Sequence, residues 1–231
     1  MAPYFVPPVA ASAAIVPVFY GFVAKSALQL GEKSIPRMSI VESLTKGIKA
    51  APTIGVIIGT QMIVQMLVEN ALLRANKKTD QKLPLSFSAM LVSSMIVGAI
   101  SAPALAVFNG QTMGQTVMKS LKSLSVKQTG AILVRETSFL FSLRVSEPLS
   151  NAMKQHFGEN KCVELGSAFV SGAIGSLIGH PADTALTLWQ KGMKIEKPCH
   201  VMRGAPAKAL AIGGFSVGYK LVNKLLLLHS E

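Results

Sequence analysis

The chain has 231 residues, half of them hydrophobic and only 15% charged, with a mean hydropathy of +0.44 and a formal net charge of +12. A soluble domain carries about a quarter charged residues, so this shortage of charge excludes a fully hydrated surface and reads as a membrane protein. Nucleic acid is excluded as a partner: aromatics are few, basic and aromatic residues do not interleave, and most cations lie between apolar segments, where they fit anionic lipid headgroups or anionic solutes.

Spanning helices need about 20 mostly apolar residues, and six such segments are expected in chain order. The first covers 9–29 and contains Pro17, behind a lead with Pro3, Pro7 and Pro8 that reads as irregular. The second covers 52–73, and the third 85–108 with Gly98 and Pro103. The fourth, 130–150, is the least apolar because it holds Arg135, Glu136, Arg144 and Glu147. The fifth, 163–190, carries Gly172, Gly175, Ser176 and Gly179 at helical spacing, then Pro181 and Asp183. Gly175 and Gly179, four apart, share a face that lets another helix approach closely. The sixth covers 204–228.

The connections differ in kind. Residues 74–84 and 151–162 are short and polar, whereas 30–51 and 110–129 are longer and hold amphipathic patterns from Met38 and from Met113. Apolar residues three and four apart there predict two surface helices at the membrane interface. The longer connections carry Lys33, Arg37, Lys46 and Lys49, then Lys119, Lys122 and Lys127. A positive-inside reading retains them on the inner face, against Arg74, Lys77, Lys78 and Lys82 on the other. Cys162 and Cys199 bracket the fifth segment, too far apart to pair within one chain, and no cysteine metal site or other cofactor site is indicated. No cleaved signal peptide is evident.

The segments repeat in pairs. Each odd segment holds a proline (Pro17, Pro103, Pro181), a glycine follows the connection (Gly47, Gly130, Gly204), and each even segment opens with a cation (Lys49, Arg135, Lys208). Three parallel two-helix repeats, 1–76, 77–155 and 156–231, predict an all-α membrane protein with six transmembrane helices in a pseudo-threefold bundle forming one domain.

With these features the chain resembles the mitochondrial carrier family. His180-Pro181-Ala182-Asp183 through Gln190 is similar to that family's odd-helix signature, a proline, any residue and an acid, then a glutamine nine residues after the proline. The stretches from Gly130 to Phe139 and from Gly204 to Lys220 are similar to its fourth- and sixth-helix patterns. The resemblance implies a carrier-like bundle around a central site that opens alternately to either side. It implies exchange of a small anionic or zwitterionic metabolite across the mitochondrial inner membrane, by a monomer without cofactors. It places gating residues at Pro181, Asp183, Gln190, Glu147 and Lys220, while Lys49, Arg135, Glu136 and Lys208 are the expected substrate contacts because charges near the starts of the even spans point to a lined cavity.

The chain departs from the family pattern at defined positions. Phe19 and Leu105 stand two residues after Pro17 and Pro103, where the family carries acids, and Leu186 replaces a cation. Gln61 and Lys220 stand where outer acids are expected, and the connection 192–203 is short. These departures favour a second reading, a carrier-derived membrane scaffold or receptor that no longer transports. Charges inside spans otherwise point to function. Arg135 is expected to bind a carboxylate bidentately, or to pair structurally with an acid on another helix rather than with its neighbour Glu136. His180 is expected to bond the carbonyl freed by the proline, and Trp189 to anchor at the interface. The Gly214-x-Ser216-x-Gly218 pattern matches a hydrolase elbow, but it lies inside an apolar helix rather than on a strand-to-helix turn, so the expectation is a protein that is not an enzyme.

Overall fold

The computed structural model describes residues 2–75, 87–158 and 160–228. Its elements are helices α1 (Ala2–Gln29), α2 (Ile40–Ala75), α3 (Phe87–Thr112), α4 (Val117–Lys122), α5 (Val126–Phe157), α6 (Lys161–Ile178), α7 (His180–Gln190) and α8 (Ala205–Leu228), with a short 3-10 helix at Pro198–Met202. No strand occurs among the described residues. Five segments are long and apolar enough to cross a membrane: Phe5–Gln29, Ile40–Gln65, Leu91–Thr112, Lys161–Ile178 and Pro198–Leu228. They mark an integral membrane protein. α5, with 32 residues, has the length to span but too much charge to join that set by composition.

Side-chain oxygens start three of the helices. Thr116 accepts from the Lys119 amide at α4, Ser125 from Gln128 at α5, and Asn160 from Val163 at α6, each satisfying one of the amides that a helix start leaves without a partner. α1, α3 and α7 end in the same way. Gly31, Gly114 and Gly192 take positive φ, and in each case two amides fold back onto the last turn, as with Gly192 N–H to the Trp189 carbonyl and Met193 N–H to Leu188. Glycine alone adopts that conformation without a steric penalty.

The helices pack in a closed ring. α1 lies against α2 and α8, α2 against α3, α3 against α5, α5 against α6, and α6 against α8. α6 and α7 together form one rod interrupted at Gly179, where Pro181 opens the new helix at a position that needs no amide donor. Small residues let the rods approach. A Cβ on Gly179 would lie 3.0 Å from the Arg135 carbonyl oxygen, and one on Gly47 only 2.6 Å from that of Val16.

Several local expectations need correction. α1 is helical from Ala2, with Pro7 and Pro8 inside it rather than in an irregular lead. α1 and α3 continue through Pro17 and Pro103, so only Pro181 coincides with a break. The amphipathic stretch from Met38 is not a separate surface helix: α2 runs unbroken from Ile40 through Pro52. Its first turns expose Ile40, Leu44 and Ile48 along one face, as an interfacial segment does. The second expected surface helix is present as α4, with Val117, Met118 and Leu121 exposed. Gly47 and Gly130 lie inside helices whereas Gly204 precedes α8 with positive φ, so the three glycines are not conformationally equivalent.

Candidate functional site

The ends of α1, α3 and α7 converge on one buried polar layer. In α1, Lys25, Ser26 and Gln29 stand on the last two turns; in α3, Asn109 and Thr112; in α7, Asp183, Thr184, Thr187 and Gln190. All nine are buried. Ser26 and Thr112 share a 2.8 Å hydrogen bond, Asn109 Nδ2 donates to Gln190 Oε1 at 2.7 Å, and Gln190 Nε2 donates to the Ala106 carbonyl at 3.1 Å. Gln29 donates to Thr184 at 2.9 Å and accepts from Thr187 at 2.8 Å. Buried polar groups need partners to offset their desolvation, and here one helix supplies them for the next. This end of the bundle is shut.

Apolar packing completes the closure. Two residues after the prolines stand Phe19, Leu105 and Asp183, and five after stand Phe22, Phe108 and Leu186. Five of these six belong to the core, and Phe22 meets Phe108 edge to face with ring centres 5.7 Å apart. Where the sequence lacks the acids and the cation of the family pattern, aromatic and aliphatic side chains fill the space.

Asp183 is the hub above this layer. Its Oδ2 accepts from Lys25 Nζ and Gln29 Nε2, each at 3.0 Å, and lies 3.4 Å from Lys208 Nζ. Its Oδ1 accepts from Arg135 Nη1 at 3.0 Å. Arg135 Nε donates to Glu136 Oε1 at 2.9 Å, and Glu136 Oε2 accepts from Gln61 Nε2 at 3.2 Å. Lys25 also donates to Asn109 Oδ1 at 3.3 Å. One carboxylate on α7 thus joins cations from α1, α5 and α8. Removing it would leave uncompensated buried charge, a cost of several kcal/mol per ion.

These groups line a cavity of about 90 Å³. Lys25, Gln61, Asn109, Arg135, Glu136, Asp183 and Lys208 form most of its polar lining; isoleucines of α1, α2 and α8, with Leu105 and several phenylalanines, form most of the rest. No group of side chains suited to hold a metal ion occurs among the described residues.

The expected site residues divide. Arg135, Glu136, Lys208 and Asp183 meet at the cavity and Gln190 belongs to the closed end beneath it, whereas Pro181 is exposed at the start of α7. Arg135 binds Asp183 on another helix and its neighbour Glu136 as well, contrary to the expectation that the neighbour points away. Lys49 is not at the cavity: it is exposed, in a separate cleft of about 430 Å³ with Lys46, Lys191 and Glu32. α2 runs unbroken through Pro52 and carries Lys49 into this cleft, whose walls include residues of α1 and α3, and not to the central cavity. Lys220 lies toward the opposite end, 3.5 Å from Glu164 of α6, which Lys224 also approaches at 3.6 Å. The side chain of Glu147, and Lys77, Lys78 and Lys82, lie outside the described residues. Gln61, read as an outer position, is buried at the centre.

Lys25, Gln29 and Asn109 escaped the sequence reading. A cation four residues from a span's end looks like one that snorkels to the interface. Its signal was only its place inside an otherwise uncharged segment. His180 Nε2 bonds the Arg203 carbonyl at 2.9 Å, tying the last connection to α7 instead of satisfying a carbonyl freed by the proline. Ser216 donates to the Ile212 carbonyl at 2.9 Å within α8, so its hydroxyl caps a helical turn.

No family model matches the chain, and no curated protein matches it in sequence. Chemically, the site offers three buried cations and two carboxylates around a mostly apolar cavity, an arrangement suited to holding an anion.

Proposed function

We propose that the protein is a transmembrane solute carrier that moves or exchanges a small charged metabolite by alternating access. The observation that carries this reading is the buried Lys25–Asp183–Arg135–Lys208 cluster, facing a cavity inside a ring of packed helices. Intramembrane charges are costly and persist where they bind or move a solute. The place of α5 in the ring between α3 and α6 supports reading it as a sixth span of a carrier-like, pseudo-threefold bundle. The matched glycine ends of α1, α3 and α7 support the three-repeat reading. So does the spacing from Pro103 to Gly114 and from Pro181 to Gly192, which is the same eleven positions in both.

In this mechanism the polar layer and the Phe22–Phe108 contact form the closed gate, with Asp183 linking gate to solute site. A solute that engages the cations loosens their hold on Asp183, and α1, α3 and α7 separate. Assignment to the mitochondrial inner membrane rests on the family resemblance alone.

The test is counterflow in vesicles reconstituted with the purified protein. Saturable exchange of an internal for an external solute, lost in an Arg135→Ala variant that still folds, supports the carrier. The apolar filling at Phe19 and Leu105 favours the second reading, a non-transporting scaffold or receptor. That reading expects no exchange of any solute and full function after Arg135 is neutralised.

A further inference from the structure

We infer that the solute is a monoanion with a short apolar body, held by Lys208. This rests on the reading of the cavity as a solute site and names the chemical class it takes.

The first argument is charge balance. Among the described residues the buried cluster holds Lys25, Arg135 and Lys208 against Asp183 and Glu136, which leaves one positive charge without a counter-charge. Burial of a lone charge is expensive in a low-dielectric interior, so the cluster accommodates one further negative charge and no more. A dianion would overshoot it.

The second argument is hydrogen bonding. Lys25 is engaged by Asp183 and Asn109, and Arg135 by Asp183 and Glu136. Lys208 Nζ has no hydrogen-bond partner, although Lys208 is only 5% exposed and lines the cavity. Its 3.4 Å approach to Asp183 is an ion pair without a formed hydrogen bond. An ammonium has three donors, and an incoming carboxylate or sulfonate would satisfy those facing the cavity.

Acceptor supply weighs against a zwitterion. Both carboxylates are committed: Asp183 to Lys25, Gln29, Arg135 and Lys208, and Glu136 to Arg135 and Gln61. The Oε1 of Gln61 also lines the cavity without a partner, but it is a neutral acceptor and supplies no counter-charge for an ammonium. Much of the remaining wall is apolar, with Ile15, Ile54, Ile57 and Phe215 among the residues that line it. The cavity, at about 90 Å³, is smaller than the roughly 150 Å³ that admits benzene, which favours a short body.

Five probes of matched size or contrasting charge decide the matter: 2-oxobutyrate and propanesulfonate as monoanions, succinate as a dianion, 2-aminobutyrate as a zwitterion, and ADP. Thermal unfolding of the purified protein reads binding, and counterflow in vesicles reads transport. The two monoanions are expected to raise the unfolding temperature and the others not to. Lys208→Gln should weaken that binding at least about tenfold, as loss of a hydrogen bond between charged groups does, and Lys208→Arg should retain it. Glu136→Gln adds one net positive charge and should shift preference toward succinate, a change that loss of folding cannot imitate. Stabilisation by succinate, 2-aminobutyrate or ADP in preference to the monoanions overturns this inference, and if that solute also exchanges, the carrier reading stands without it. Monoanion binding without counterflow leaves the site assigned and removes the carrier. Failure of every probe to bind or exchange, with folded protein, overturns both.

Discussion

Lys25 and Asp183, 158 positions apart in the chain, meet at 3.0 Å with both side chains almost wholly buried. The pair ties the end of the first helix to the broken fifth rod, and the same carboxylate holds Arg135 of α5 and Lys208 of α8. A family-type gate distributes acids and cations evenly over three helices. Here one acid serves cations from three helices, while Phe19, Leu105 and Leu186 pack where other charges would stand. Closure therefore relies on apolar contact and neutral hydrogen bonds below, with a single ionic hub above.

Asp183→Asn should accordingly be among the most damaging single substitutions. It leaves Lys25, Arg135 and Lys208 close together with only Glu136 to offset them. Breaking a buried pair by removing one partner costs about 3–5 kcal/mol. Thermal unfolding in detergent should show a large drop in the midpoint, and the double variant Asp183→Asn with Lys208→Met should recover part of it. Additive losses would mean that the two residues do not interact.

Glycines at two places in α5 and its neighbour should respond with opposite sign. A Cβ on Gly179 would crowd the Arg135 backbone, 3.0 Å from its carbonyl oxygen and 3.1 Å from its Cα. Gly179→Ala should then push α5 from the rod and cost about 1–3 kcal/mol. Gly130, inside α5, has nothing within 4 Å of its would-be Cβ, so Gly130→Ala should gain up to about 1 kcal/mol from helix propensity. The same unfolding assay ranks both against the parent chain.

What the sequence revealed follows from physics that is local. Runs of apolar residues located the helices, and a lone acid after a proline in such a run marked Asp183. The long-range partners were another matter. Lys25 reads as an end-of-span cation until the ring of helices brings α1 and α7 together, and no local pattern encodes that approach. Lys49 failed for a different reason: Pro52 suggested a helix start, since the residue before proline disfavours helix, yet α2 runs through it and fixes a different face. Asn109, neutral and without a pattern in the sequence, and Gln61, noted there only as an outer position, acquire their roles where the packing desolvates them.

The two cysteines provide a topological test. Cys162 stands at the start of α6 and Cys199 in the 3-10 helix beyond α7, both exposed and unpaired. The rod of α6 and α7 between them runs 30 residues, from Lys161 to Gln190, or about 45 Å at 1.5 Å per residue. In sealed vesicles of uniform orientation, a membrane-impermeant maleimide should modify one cysteine from outside and the other only after permeabilisation. Reaction of both from one side would contradict a spanning rod.

The buried polar layer that the carrier reading takes as a gate can be loosened at Gln190. Its side chain accepts from Asn109 at 2.7 Å and donates to the Ala106 carbonyl at 3.1 Å, bridging α7 to α3 at two points. Gln190→Ala removes both bonds and leaves Asn109 Nδ2 only the longer contact to Thr187 at 3.4 Å. A net loss of about 1–3 kcal/mol for the closed arrangement is expected. Ser26, 1% exposed in the same layer, reports the opening. In a background carrying Cys162→Ser and Cys199→Ser, a Ser26→Cys thiol should react slowly with a water-soluble reagent, and about tenfold faster when Gln190→Ala is added. An unchanged rate, with Tm lowered, would show that the layer stabilises the fold without acting as a gate.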